Sequence, residues 1–140
     1  MTFVVDASVV LRWFVAQEPG AAEAAHWLEK FAEDADLLVA PDLLRFELLG
    51  ALARLQLGRS MDWATKAFSR FERLGLRLLP TDEQIAQRAL QLSRELRIAG
   101  WDAVYLAHAE SLNTSWVTGD ERILRRLSGD PRLEALVARS

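Results

Sequence analysis

Phe3-Val4-Val5-Asp6 near the start and Ser115-Trp116-Val117-Thr118-Gly119-Asp120 near the end are short apolar or β-branched runs, each closed by an aspartate. Runs of this length and composition read as buried strands. If both belong to one parallel α/β sheet, Asp6 and Asp120 project from carboxyl ends, the edge where open α/β sheets hold their ligands. The rest of the chain supplies the parallel sheet. Leu37-Leu38-Val39-Ala40 and Leu76 to Leu79 read as two further strands, and Leu133 to Ala138 as a short fifth. Helical spacing fills the intervals. One helix covers Ser8 to Ala16, ended by Glu18-Pro19-Gly20, and a second covers Ala21 to Glu33. A third runs from Pro41 to Leu57, stopped at Gly58, and a fourth runs to Leu74 with Ser60 as its cap. A long helix opens at Thr81 with the buried stripe Ile85, Ala89, Leu92 and Leu96, and Gly100 ends that segment. Asp102 to Leu112 and Glu121 to Leu127 complete the set. Short strands alternating with helices imply parallel pairing, right-handed crossovers and helices on both faces. No internal repeat, low-complexity tract or linker divides the chain, so a single α/β domain over residues 1–140 is expected.

Composition narrows the function classes. Of 140 residues, 51% are apolar and 26% charged, which is the balance of a globular domain with one core rather than a disordered chain. The absence of cysteine excludes disulfides and zinc–thiolate sites. The first apolar stretch has no basic leader and is broken by Asp6 and Arg12, and no window approaches ~18 uncharged apolar residues. A cytoplasmic protein without a membrane span is expected. A net charge of −3 argues against a broad, nonspecific nucleic-acid binder. The basic residues are almost all arginine, Lys30 and Lys66 being the exceptions.

The acidic residues carry the chemistry. Asp6, Asp102 and Asp120 each precede or begin a helix, so each singly fits an N-cap. Capping does not require convergence, whereas a metal site does, and the topology brings Asp6 and Asp120 together. Glu47 shares a helical stripe with Leu43, Leu44, Leu48, Leu52 and Leu55. A carboxylate there must be neutralised, paired with an arginine or metal-bound. A carboxylate cluster with neither Cys nor ligand-spaced His points to Mg²⁺ or Mn²⁺. Ser8 and Thr118, two residues from Asp6 and Asp120, are positioned to hold a carboxylate rotamer or a metal-bound water. Asp42, Asp62, Asp82 and Asp130 read as turn residues. Glu23, Glu29, Glu33, Glu83, Glu95 and Glu110 read as solvated helix faces, His26 and His108 as structural, and the five tryptophans as core or interface anchors. No Ser-His-Asp order, Gly-rich phosphate loop or HExxH motif is present.

With these residues in place the chain resembles the PIN-domain ribonucleases, in particular the VapC-type toxins of toxin–antitoxin pairs. Val4-Val5-Asp6-Ala7-Ser8 resembles the family's opening motif, and Pro41-Asp42-Leu43-Leu44-Arg45-Phe46-Glu47 the segment carrying its helical glutamate. Trp101-Asp102-Ala103-Val104-Tyr105-Leu106-Ala107 is similar to its Asp-Ala-x-Tyr-x-Ala helix start, and Thr118-Gly119-Asp120-Glu121-Arg122 to its Thr-x-Asp element. The resemblance implies strand order 3-2-1-4-5, which makes strands 1 and 4 neighbours at the topological switch point. It also implies endoribonuclease activity with Mg²⁺ or Mn²⁺, a homodimer, and a small antitoxin that blocks the site.

On that basis Asp6, Asp102 and Asp120 are expected as metal ligands, with Glu47 as a further ligand or as the group orienting an attacking water. Attack by water leaves a 5′-phosphate and a 3′-hydroxyl. Arg12, Arg122, Arg125 and Arg126 follow site residues in sequence and are candidate RNA contacts. An aspartyl phosphatase would need a second Asp where Ser8 stands, and a phospho-receiver an Asp where Leu79-Pro80 stands. The remaining alternatives are an RNA-processing nuclease without a toxin role and a non-catalytic module that only binds a basic partner.

Overall fold

A computed structural model describes residues 1–60 and 62–138. Met61, at the expected start of the fourth helix, and Arg139-Ser140, at the end of the expected domain, lie outside the described residues. Five parallel strands form the sheet: β1 (Phe3–Val5), β2 (Leu38–Pro41), β3 (Arg77–Leu79), β4 (Trp116–Thr118) and β5 (Leu133–Ala135). Their order is β3-β2-β1-β4-β5, as expected. Registers place Val4 beside both Val39 and Trp116, and Val5 beside Val117. The central strand is therefore paired on both edges, and with helices covering both faces its side chains must be apolar throughout. Val4 and Val5 are fully buried, as are Leu38, Ala40 and Val117. The two edge strands are three residues long, and each carries an exposed charge, Arg77 on β3 and Glu134 on β5, which discourages pairing with another sheet.

Seven α-helices connect the described strands: α1 (Ala7–Leu11), α2 (Ala21–Glu33), α3 (Leu43–Leu55), α4 (Trp63–Leu74), α5 (Glu83–Leu96), α6 (Gly100–Ser111) and α7 (Glu121–Arg126). None of these is long and apolar enough to cross a membrane. Helix α6 lies along β1, β2 and β4 with α5 packed on it, whereas α1 packs against α3 and α3 against α4. Ala89 and Leu92 of α5 and Ala103, Leu106 and Ala107 of α6 join the core between these layers.

Several boundaries differ from the sequence expectation for local reasons. Helix α1 stops at Leu11 because the following N–H groups of Arg12, Trp13 and Phe14 bond three residues back, tightening the chain into turns. Helix α5 is capped by the Asp82 carboxylate on the Ile85 N–H (2.9 Å), not by Thr81. It ends at Arg97, whose backbone is left-handed (φ 55°). Gly100 terminates nothing and is instead the first residue of α6. Ser60 does not cap α4: Asp62 holds the cap position without a side-chain bond, and the Ser60 carbonyl accepts from the Trp63 N–H.

One side-chain expectation is corrected. Glu110 is not a solvated helix glutamate. It accepts from Arg88 (2.6 and 3.1 Å) and from Arg132 (2.9 Å), and Asp130 holds the other side of the Arg132 fork. This network fastens α5 and α6 to the loop leading into β5, a long-range pairing that helical spacing cannot reveal. Among the tryptophans, Trp116 and Trp27 are buried and Trp13 donates from its ring to the Ala24 carbonyl (2.9 Å), but Trp101 is 66% exposed and anchors no core. His108 is buried, its Nε2 3.3 Å from the Thr81 hydroxyl.

Candidate active site

Asp6 leaves the carboxyl end of β1 and is nearly fully buried. Its Oδ1 caps α1, accepting from the N–H groups of Ser8 (3.0 Å) and Val9 (3.4 Å) and from the Ser8 hydroxyl. Its Oδ2 accepts from the Trp116 indole (2.9 Å) and the Thr118 hydroxyl. Register explains the second set: β1 and β4 align Val5 with Val117, so Asp6 and Thr118 stand side by side one step beyond. Both hydroxyls work in two directions. Ser8 Oγ accepts from the Gly119 N–H (2.9 Å) and Thr118 Oγ1 from the Asp120 N–H (3.1 Å), so each locks Asp6 to the β4–α7 turn.

Asp120 occupies that turn as the N-cap of α7. Its Oδ1 accepts from the N–H groups of Arg122 (3.0 Å) and Ile123 (3.3 Å), which leaves Oδ2 facing the site. Asp102 sits in the first turn of α6 without capping it, since Ala99 holds that position. Arg122 Nη2 approaches Asp102 Oδ2 at 3.2 Å and Asp120 Oδ2 at 3.8 Å. Glu47 comes in from α3 and accepts a hydrogen bond from Tyr105 of α6 at 2.5 Å; among the described residues no arginine pairs with it. Asp6 and Asp120 stand at the carboxyl edge of β1 and β4, Arg122 lies between Asp102 and Asp120, and Glu47 is near enough to feel the charges of Asp6, Asp102 and Asp120. As they stand, no three of these carboxylates lie within reach of one metal ion among the described residues. The donor set nevertheless suits a hard divalent cation in kind, being carboxylates and hydroxyls only.

Electrostatics shows how little cation the chain itself provides. Burial pushes the Asp6 carboxyl up against the pull of its four hydrogen-bonding residues. Glu47 is raised by burial, is lowered by Tyr105, and is raised again by the charges of Asp6, Asp102 and Asp120. Asp102 is raised by burial and by Asp120, with Arg122 opposing. Tyr105 is driven well above the ordinary phenol range by burial and the Glu47 charge, so it remains a donor. A carboxyl raised in the folded state binds its proton more tightly there than in the unfolded chain. Its contribution to stability is complete below the ordinary carboxylate pKa of about 4 and is lost as pH rises through the raised value. In the metal-free protein, Glu47→Gln is therefore expected to raise the Tm relative to wild type, more at neutral pH than near pH 4. Paired melts in EDTA across that range check this, and a gap that does not grow with pH would refute it. Glu110 and Asp130, lowered by their arginines, act in the opposite sense and lose stability only as pH falls below the ordinary range.

Arg12, a candidate RNA contact, is half-buried and donates to the carbonyls of Ser8 (2.6 Å) and Pro19 (2.7 Å). It lies so close beneath the turn that a Cβ on Gly119 would meet Arg12 Nη1 at 3.0 Å. Arg122, Arg125 and Arg126 are exposed. Sequence reading missed Tyr105 and Trp116 as site residues. Their rings stack (5.4 Å, 15°) and link Glu47 to Asp6 through a phenol O–H and an indole N–H. The available signal was Tyr105, one turn after Asp102 on the same helix and the only tyrosine in the chain.

Residues 3–129 match the sequence model of the PIN domain. The chain belongs to the PIN-domain family. No curated protein matches it. Solved structures share the PIN fold at low identity. PAE2754 from Pyrobaculum aerophilum is 20% identical with a TM-score of 0.72, covering 97% of this chain and 84% of that one. A toxin–antitoxin complex from Klebsiella pneumoniae is 16% identical with a TM-score of 0.71, covering 97% and 98%. DNA-bound VapBC from Salmonella typhimurium is 19% identical with a TM-score of 0.69, covering 98% and 99%. In this PIN domain the switch point between β1 and β4 is the edge where Asp6 and Asp120 stand.

Proposed function

We propose that this PIN domain is a metal-dependent endoribonuclease and the toxin of a toxin–antitoxin pair. What supports the reading is the placing of Asp6 and Asp120 at the β1–β4 edge with Glu47 near enough for the charges of Asp6, Asp102 and Asp120 to help hold its carboxyl above its ordinary range. Such a cluster costs stability in the bare protein, and ligand chemistry accounts for it better than packing does. Asp6, Asp102 and Asp120, with Glu47, are the residues that would hold Mg²⁺ or Mn²⁺. Bound there, the ion supplies an acidified water and charge compensation at the phosphoryl oxygens. Ser8 and Thr118 keep the Asp6 carboxylate in one rotamer. Tyr105 occupies Oε1 of Glu47, which leaves Oε2 either to hold the ion or to orient the attacking water. Attack by water yields a 5′-phosphate and a 3′-hydroxyl. Arg12, Arg122, Arg125 and Arg126 are the proposed RNA contacts.

The toxin role rests on fold likeness to VapBC complexes. It carries with it a cognate antitoxin, a homodimer and a cytoplasmic location. The ion pair of Arg122 with Asp102 favours a second reading, a module whose carboxylates only receive an arginine from a partner. Metal-dependent turnover separates the two. Total cellular RNA incubated with the protein in Mg²⁺ or Mn²⁺ is expected to acquire discrete new 5′-phosphate ends that are absent in EDTA. End mapping that finds no new ends, or the same ends in EDTA, would remove the nuclease reading.

A further inference from the structure

Beside Arg122, a cavity of about 360 Å³ opens between α7 and the turn joining α5 to α6. Arg97, Arg122, Arg125 and Arg126 line it together with Ile98 and Ile123. Four guanidiniums around one cavity run against a chain whose net charge is −3. Arg122 has carboxylate partners, but Arg125 and Arg126 use their Nε atoms on the backbone carbonyls of Glu121 (3.4 Å) and Leu96 (3.3 Å). Those bonds orient each side chain and leave its charge in place. Arg97 holds the left-handed position that ends α5 (φ 55°), where glycine or asparagine is usual. The same turn leads into the first turn of α6, which carries Asp102. The cavity and the carboxylates therefore share two structural elements, α7 and the start of α6.

Guanidiniums suit phosphate because their planar forks donate two parallel bonds to its oxygens. The volume falls within the roughly 300–1,000 Å³ of small-ligand sites, so it admits a nucleotide phosphate with part of its sugar. We propose that this cleft binds the backbone phosphates of single-stranded RNA beside the scissile bond, with Arg97 and Arg126 as its outer contacts and Arg122 joining it to the acidic centre. The proposal rests on the nuclease reading for its choice of RNA. It assigns Arg97, which no sequence motif marks, a role in substrate binding.

The test uses the full chain carrying Asp6→Asn, a labelled single-stranded RNA and fluorescence anisotropy over a series of KCl concentrations. Arg97→Gly with Arg126→Gln removes two charges while giving the left-handed position the residue that tolerates it, so the melting temperature should not fall. Arg70→Ala with Arg73→Ala on α4 removes the same charge elsewhere. The cleft variant is expected to bind at least tenfold more weakly at low salt. Its slope of log K against log salt should be shallower by about 1.4, because each phosphate of a single strand that is no longer neutralised takes about 0.7 from the slope. The α4 control keeps the slope of the parent. An unchanged slope in the cleft variant, or an equal weakening in the control, would overturn the proposal. Parallel cleavage assays keep the two readings apart. Wild type that cuts RNA while the cleft variant binds like the parent sinks the cleft alone. Wild type that never cuts, with the slope change intact, sinks the nuclease reading and supports the cleft.

Discussion

Asp6→Asn is expected to lower metal-dependent RNA cleavage by about three orders of magnitude, on the scale of removing one principal charge-stabilising group from a catalytic centre. The fold should survive it. Asparagine keeps a side-chain oxygen for the N–H groups of Ser8 and Val9, so the cap on α1 is retained. Its amide faces the Trp116 indole and the Thr118 hydroxyl where Oδ2 stood. The hydroxyl can rotate to accept, whereas the indole loses its acceptor, a loss of about 1–2 kcal/mol. Against this, the substitution removes a carboxyl that burial already holds above its ordinary range, so ionising it at neutral pH costs stability in the metal-free protein. The two effects oppose each other, and the melting temperature should change by only a few degrees. Counting new 5′-phosphate ends beside a thermal melt reads both quantities. Activity within tenfold of wild type in a folded Asp6→Asn protein would rule out Asp6 as a member of the metal-holding set.

Trp116→Ala is expected to have the largest effect on stability. The ring is 1% exposed at the middle of the sheet, on a strand paired with β1 on one side and β5 on the other. It stacks on Tyr105 and donates to Asp6. Truncation removes a large buried aromatic, opens a cavity and takes away one of the two donors to Asp6 Oδ2, for a total of about 3–5 kcal/mol. For a chain of this size that corresponds to a fall in Tm of roughly 10–20 °C. Trp116→Phe keeps a six-membered aromatic ring but loses the N–H with part of the five-membered ring, so a smaller loss of about 1–2 kcal/mol is expected. Denaturant unfolding of both variants provides the check. A loss below about 2 kcal/mol for Trp116→Ala would mean the site collapses around the gap and the ring does not brace Tyr105. The functional consequence follows from the stack: with the ring gone, nothing on β4 holds Tyr105 against Glu47.

How far the sequence could be read differs residue by residue. Val4, Val5 and Val117 announced their strands because a strand buried on both faces must be apolar at every position. Asp6 and Asp120 were legible because each closes such a run, and a polar residue at that point has few uses. In the structure both act as helix caps through Oδ1, and the second oxygen of Asp6 accepts from Trp116 and Thr118. Asp102 differs: it caps nothing, and only the fold of α6 brings it to Arg122. Glu47 was marked by its apolar stripe, but its partner proved to be a phenol 58 residues away rather than an arginine.

Local sequence was enough for the alternation of strands and helices, the parallel sheet and the identity of the acidic residues at strand and helix ends. Each of these follows from periodicity and capping chemistry within a few neighbouring residues. Other features exist only once the chain is folded. Tyr105 and Trp116 connect Glu47 to Asp6, Arg12 packs beneath Gly119, and Glu110 binds Arg88 and Arg132. Arg97 joins the arginines of α7 around one cavity. These pairings link positions far apart in the chain. Their geometry depends on how the crossovers stack helices over the sheet, and local composition carries no record of that.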